Sequence, residues 1–231
     1  MDLLWEGFKQ ALWLLIAGDR EVVRITLLTL GVSSLAVCLS LLGGVPVGML
    51  LALAEFPGRR LLVSLVNTGM GLPPVVVGLF VMILLWRSGP LGFLEILFTP
   101  TAVVAAQVVI AFPIVTGLTV AALQQLNPKL RLQLLALGAS RVQLLGLLLR
   151  EARLPLLAAI MAGFGGVISE VGAVMMVGGN IKGQTRVLTT AIVLEARMGH
   201  FEVAIALGVI LLCLTFVVNW VLTVIQQQQT P

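Results

Sequence analysis

The sequence predicts an all-α polytopic membrane protein, a bundle of about five transmembrane helices preceded by a helix lying in the membrane surface. Three observations carry that prediction. Five stretches, 25–54, 61–86, 96–128, 154–169 and 203–231, contain no ionisable side chain. Four of them exceed the roughly 20 apolar residues that a helix needs to cross about 30 Å of hydrocarbon. Charged residues make up 10% of the chain and hydrophobic ones 59%, with a mean hydropathy of +1.13, whereas soluble domains are roughly 25% charged. Lipid admits only helices or closed barrels, and the two-residue alternation of a barrel is missing.

The elements follow in order within one domain, residues 1–231. In residues 1–20, Asp2 and Glu6 stand where a signal peptide would be positive, and no small-residue cleavage pattern follows. Leu4, Phe8, Ala11, Leu12 and Leu15 share one helical face and Glu6, Lys9, Gln10 and Trp13 another, the pattern of an interfacial helix. The first span, 25–54, carries Gly43, Gly44 and Pro46 near its middle, where a kink is expected. A charged turn, Glu55 to Arg60, leads to the second span, 61–86. There Gly69, Gly71, Pro73 and Pro74 must break the helix, and neighbours or water must satisfy the freed backbone groups.

The third span, 101–126, is expected to be interrupted at Pro113. Residues 127–153 hold Lys129, Arg131, Arg141, Arg150 and Arg153 beside an apolar stripe of Leu132, Leu135, Leu144, Leu145 and Leu148, and read as a helical pair outside the membrane. The fourth span, 154–178, contains one acid, Glu170. Residues 179–202 leave the membrane, and a fifth span, 203–225, precedes a glutamine tail. Neither an internal repeat nor inverted halves are visible, which argues against many secondary carriers.

Several functions are excluded on this evidence. The net charge of +4 comes with no basic run interleaved with aromatics, so nucleic acid is not a partner. Cys38 and Cys213 sit in apolar segments without metal-ligand spacing and read as packing thiols. Phosphate-cradle, H-E-x-x-H and G-x-S-x-G patterns are absent, and His200 has no partner at metal spacing. No cofactor and no metal is expected, and no nucleophile–base pair stands out. Lys and Arg divide seven to seven between the two sides of the expected topology, so charge alone leaves the orientation open.

Glu170 demands an explanation, because a carboxylate among Ile168, Val171 and Val174 is costly in lipid unless protonated, paired or facing water. It is either a gate or pathway residue, or a bundle-facing acid bonded to backbone or to Ser169; Arg186 or Lys182 would pair with it only if their loop folded inward. The glycines around it, from Gly163 to Gly179, allow helices to approach closely and shift.

Leu137-Gly-Ala-Ser-Arg141 resembles the centre of the cytoplasmic loop in permeases of type I ATP-binding-cassette importers. That family's pattern runs Glu-Ala-Ala, three residues, Gly, nine residues, Ile-x-Leu-Pro. Here Gly138 and its flanks match, Leu132, Gln133 and Leu134 stand at the acid and two alanines, and Leu154-Pro155 arrives one helical turn late. The run from Ser169 to Ile192 resembles the oxyanion branch, whose molybdate and tungstate permeases carry acid-x-Gly-Ala followed by Gly-Asn-Ile-x-Gly-x-Thr. With Leu149-Arg-Glu-Ala-Arg153 and the five-span length, the likeness is greatest to tungstate permeases and extends over about 21–225.

The resemblance implies the type I, MetI-like permease fold in the bacterial inner membrane. It also implies a second copy of the chain, cytoplasmic ATP-binding subunits that carry out the hydrolysis, and an extracytoplasmic oxyanion-binding protein. The Gly138 loop would then be cytoplasmic, with the N-terminus and the Gly-Asn-Ile loop outside. Ala136, Leu137, Gly138, Ala139, Ser140 and Arg141 would couple to the ATPase. Pro73, Pro74, Glu170, Gly172, Ala173, Gly178, Gly179 and Asn180 would line or gate the pathway. Tungstate is the expected cargo, with molybdate, sulfate or another anion as alternatives and an ATP-independent carrier or channel as more distant ones.

Overall fold

The computed structural model describes residues 2–227, without the side chains of residues 2–4, 15, 16 and 128. The expected places of Leu4 and Leu15, and the tail beyond Gln227, lie outside the described residues. Eleven α-helices run in chain order among the described residues: α1 (Asp2–Ala17), α2 (Arg20–Leu53), α3 (Arg59–Met70), α4 (Pro74–Leu85), α5 (Pro100–Gln124), α6 (Pro128–Ala136), α7 (Arg141–Glu151), α8 (Arg153–Ile168), α9 (Gly172–Gly178), α10 (Leu188–Arg197) and α11 (Phe201–Gln227).

Three helices, α2, α5 and α11, are long and apolar enough to cross a membrane unaided. Two further spans are each made of two helices: α3 with α4, bent by 105°, and α8 with α9, bent by 58°. The second break is absent from the sequence reading, which runs 154–178 as one span. Conversely, α5 continues through Pro113 rather than stopping there, and α2 continues through Pro46. A proline inside a membrane helix frees one carbonyl, which neighbouring helices and local adjustment accommodate; the Pro113 ring lies against Gly69 of α3, where a Cβ would stand 2.8 Å away.

The hub is α5, which packs on α2, α8, α3, α9 and α4. Its contact with α2 is close because Gly44 and Gly48 face Thr116 and Thr119, the small-residue route to close packing where lipid removes the hydrophobic drive. At one end Asp19 starts α2, its Oδ1 accepting from the Glu21 and Val22 amides at 3.0 and 2.9 Å. At the other end Arg59 Nε donates to Leu51 O and Arg131 Nη1 to Leu53 O, placing positive charge on the helix carboxyl end.

The buried face of α1 differs from the expected one. Gly7, Ala11 and Leu14 are buried, and Gly7 lies directly on Ile205 of α11, while Phe8 and Leu12 are exposed. Small residues win this face because α1 packs against a helix rather than lying free on a surface. Trp5 stacks on Phe8 on the uncovered side, with Lys9 Nζ over the Trp5 ring.

Candidate translocation and coupling sites

The break between α3 and α4 spans Gly71, Leu72 and Pro73. Pro74 opens α4, a position where its missing N–H costs nothing. Val76 and Val77 N–H both return to Pro73 O, at 2.9 and 3.2 Å. The second break lies at Ser169, Glu170 and Val171 and is held from three sides. Glu170 Oε1 accepts from Ala173 N at 3.0 Å, and Glu170 O accepts from the Thr189 hydroxyl at 2.9 Å. Gln107 Nε2 of α5 donates to Val167 O at 3.1 Å, joining the Glu170 N–H that reaches the same carbonyl at 3.2 Å.

Glu170 is therefore buried, 8% exposed, with its side-chain oxygen capping the amino end of α9. The backbone partner is the one found, and the side-chain partners weighed for it bond elsewhere. Ser169 donates to Gly165 O instead, at 2.8 Å. Lys182 and Arg186 both turn to Glu21 of α2, at 2.6 and 3.4 Å. That acid near the start of α2 offers them water-accessible charge without the cost of entering the bundle.

The two breaks meet. Gly172 faces Val75, and Gly78 faces Ala173 and Met176, so α4 and α9 run parallel with their amino ends at the same level. Pro73, Pro74, Glu170, Gly172 and Ala173 thus form one cluster. Its outward edge, Gly71 to Pro73 and Ser169, is exposed. Gly178, Gly179 and Asn180 stand at the other end of α9, about 10 Å away at 1.5 Å per residue. There Thr185 Oγ1 donates to Gly178 O and accepts from Ile181 N, closing the loop on itself. Phe98 N–H donates to Val177 O, and Asn180 has φ 51° with its Oδ1 buried and unpartnered among the described residues.

The segment expected to couple, Ala136 to Arg141, is the turn between α6 and α7. Ala136 ends α6, Gly138 takes φ +84°, and Ser140 starts α7 through a capping box with Gln143. No atom lies within 4 Å of a Cβ built on Gly138, so the glycine serves the left-handed turn rather than close packing within the chain. Leu137 and Val142 are 84% and 80% exposed, and Arg141 is exposed beside them. Leu144 and Leu148 anchor α7 on Met49, Ala122 and Leu123 at the ends of α2 and α5. The expected stripe is covered at only two of its five positions, since Leu132, Leu135 and Leu145 remain exposed.

No group of three or more metal-binding side chains occurs among the described residues, and His200 pairs with Glu195 at 2.9 Å. What the molecule offers is mechanical: two broken spans packed at their breaks, and a protruding turn braced on the helices that carry them.

This is the architecture of a membrane transport permease. The chain belongs to the family of binding-protein-dependent transport system inner membrane components, whose pattern it matches over residues 44–230. It is 40% identical over 228 residues, 99% of this chain and 100% of the relative, to the tungstate uptake system permease protein TupB of Peptoclostridium acidaminophilum. It is 44% identical over 203 residues, 86% of this chain and 88% of the relative, to a probable anion ABC transporter permease of Haloferax volcanii. A chain of the MetNI methionine ABC transporter, solved in an inward-facing conformation, superposes with a TM-score of 0.76 at 21% identity, covering 95% of this chain and 97% of that one. The fold is that of type I ABC importer permeases, and the protein is a multi-pass membrane protein of the inner membrane.

Gln107, Thr185, Thr189 and Glu21 escaped the sequence reading. Gln107 had a signal, being a lone amide in the middle of an apolar span, and buried polar residues in spans are there for a reason. Thr185 and Glu21 sit among polar residues where nothing in the pattern separates them from solvated ones, and nothing in the sequence sets Thr189 apart from Thr190 beside it.

Proposed function

We propose that this chain is the permease of an ATP-driven importer for tungstate, without catalysis of its own. It works as two copies with cytoplasmic ATP-binding subunits and an extracytoplasmic oxyanion-binding protein. The observation that carries the reading is the meeting of the two breaks. Two half-helices present their amino ends, the positive ends of their dipoles, side by side within the membrane-spanning part of the chain. No Lys or Arg lies in the breaks, 71–73 and 169–171. Contact with an oxyanion there is consequently weak, as passage requires. Glu170 holds the break in shape and is not an anion ligand, since like charges repel.

Two copies suit the surface. Among the described residues α3 buries no side chain, and Leu61, Leu62 and Leu65 with Val75, Val76 and Phe80 of α4 are exposed beside the break. The turn from Ala136 to Arg141 inserts into the ATPase, and its closure rocks the spans as rigid bodies to give alternating access. This places the turn in the cytoplasm, and α1 with the Asn180 loop outside. Gly178, Gly179 and Asn180 form the outer end of the path.

The test is reconstitution with the ATPase and binding protein in liposomes. ATP-dependent uptake of tungstate, competed by molybdate more than by sulfate, is expected. Uptake that follows a proton or sodium gradient without the ATPase would make the protein a secondary carrier, and passive flux would make it a channel.

A further inference from the structure

At the amino end of α2, Arg20, Glu21 and Arg24 meet Lys182, Gly183 and Arg186 around a cavity of about 210 Å³. Four cations face one carboxylate. Glu21 is shared, one oxygen at 2.6 Å from Lys182 Nζ and the other at 3.4 Å from Arg186 Nη1. Arg20 and Arg24 have no hydrogen-bond or ion-pair partner among the described residues. Arg186 is 15% exposed on its side chain, and its Nε is buried without a partner. Gly183 lies against Arg24, since a Cβ there would stand 3.3 Å from Nη1.

This arrangement is unfavourable as it stands. Arg20 and Arg24 are like charges four residues apart, and they sit at a helix amino end, where the dipole also opposes a cation. Each effect is small, but both have the same sign and both are relieved by an anion. The neighbouring cavity on the other side of the Glu21 clasp, about 250 Å³, is lined by Asp19, Glu21 and Glu195 against Lys182 and Arg186 and has no such excess. The charge imbalance is thus local to one side of the clasp.

We propose that Arg20, Arg24, Lys182 and Arg186 form a binding site for a tetrahedral oxyanion, and that the Glu21 carboxylate occupies part of it when the anion is absent. Guanidinium forks match the paired oxygens of such a group, and the Arg186 Nε–H is a donor already desolvated for it. Glu21 releases Lys182 and Arg186 to the anion, and because both sit on the loop that follows α9, occupancy is felt at Asn180. The inference leans on the proposed function only in naming the free oxyanion; a lipid phosphate has the same chemistry and is the other source.

The test uses the full chain in nanodiscs, with tungstate binding followed by equilibrium dialysis and elemental analysis. In zwitterionic lipid, tungstate should bind, Arg24→Gln and Arg186→Gln should each weaken it about tenfold, as loss of one charge-assisted contact does, and Glu21→Gln should tighten it several-fold. A merely structural Glu21 gives no tightening. If the site belongs to lipid, phosphatidylglycerol nanodiscs should abolish tungstate binding, and native mass spectrometry should show phosphatidylglycerol retained by the wild type and lost by Arg24→Gln. Binding of both ligands indifferent to Arg24 and Glu21, or no binding of either, overturns the site. Uptake by the complete transporter is measured separately, so a permease that transports tungstate without this site leaves the proposed function standing.

Discussion

The contact between the two breaks yields a quantitative test. A Cβ on Gly172 would come under 3.0 Å from Val75 Cγ2, and Val75 is a β-branched residue in the first turn of α4 with little rotamer freedom. Overpacking of this kind costs about 1–3 kcal/mol, from which the helix preference of Ala over Gly returns about 0.5–1. Gly172→Ala should therefore lose about 1–2 kcal/mol net. In Val75→Ala the obstructing methyl is gone, so the double variant should be little worse than Val75→Ala alone, a coupling of about 1–2 kcal/mol. Gly78→Ala is the internal control, because its Cβ would stand 2.5 Å from Ala173 Cα, which is backbone. Ala173→Gly should rescue it hardly at all. Stability is read by detergent-titrated unfolding of the solubilised protein with tryptophan fluorescence, and function by ATP-driven uptake. Gly172→Ala and Val75→Ala that add within about 0.3–0.5 kcal/mol would show that the two breaks do not touch.

Two further outcomes follow from other anchors. Glu170→Gln keeps an acceptor for Ala173 N and should cost about 1 kcal/mol, while Glu170→Ala leaves that buried amide unpaired and should cost about 1–3 kcal/mol, with uptake falling in the same order; equal losses in the two variants would show that the acid is needed as a charge rather than as a cap. Gly138→Ala strains the left-handed turn by about 1–2 kcal/mol, and Gly138→Trp adds bulk to an exposed tip. Both should leave the spans intact and uncouple ATP hydrolysis from uptake, and undiminished uptake by Gly138→Trp would remove the turn from the coupling contact.

The spans were legible because lipid imposes a single strong requirement, a long run free of charge, and α2, α5 and α11 satisfy it within a few residues of the expected bounds. The first break was legible too, since Pro73 and Pro74 in sequence cannot continue a helix. The second was not. Ser169, Glu170 and Val171 are compatible with helix locally, and the bend exists because Gln107, Thr189 and the packing of Gly172 on Val75 hold it, all of them distant in sequence. Pro113 misled in the opposite direction, because its effect on α5 is absorbed by the glycine that α3 presents to its ring. Between α6 and α7 the glycine and its flanks located the turn, but the apolar spacing gave no sign that Leu132, Leu135 and Leu145 stay exposed. The pairing of Lys182 and Arg186 with Glu21 joins residues some 165 positions apart, beyond any local pattern.

The thin attachment of α3 bears on how the protein is made. The helix leans on α5 through its last turn, Val66, Gly69 and Met70 against Pro113 and Gly117, and buries no side chain of its own. A freshly inserted copy holds that segment at the low end of its local stability, and whatever later covers it stabilises it by mass action. In the proposed assembly the second copy would supply that cover, so unpaired copies would open there first and be cleared by membrane proteases.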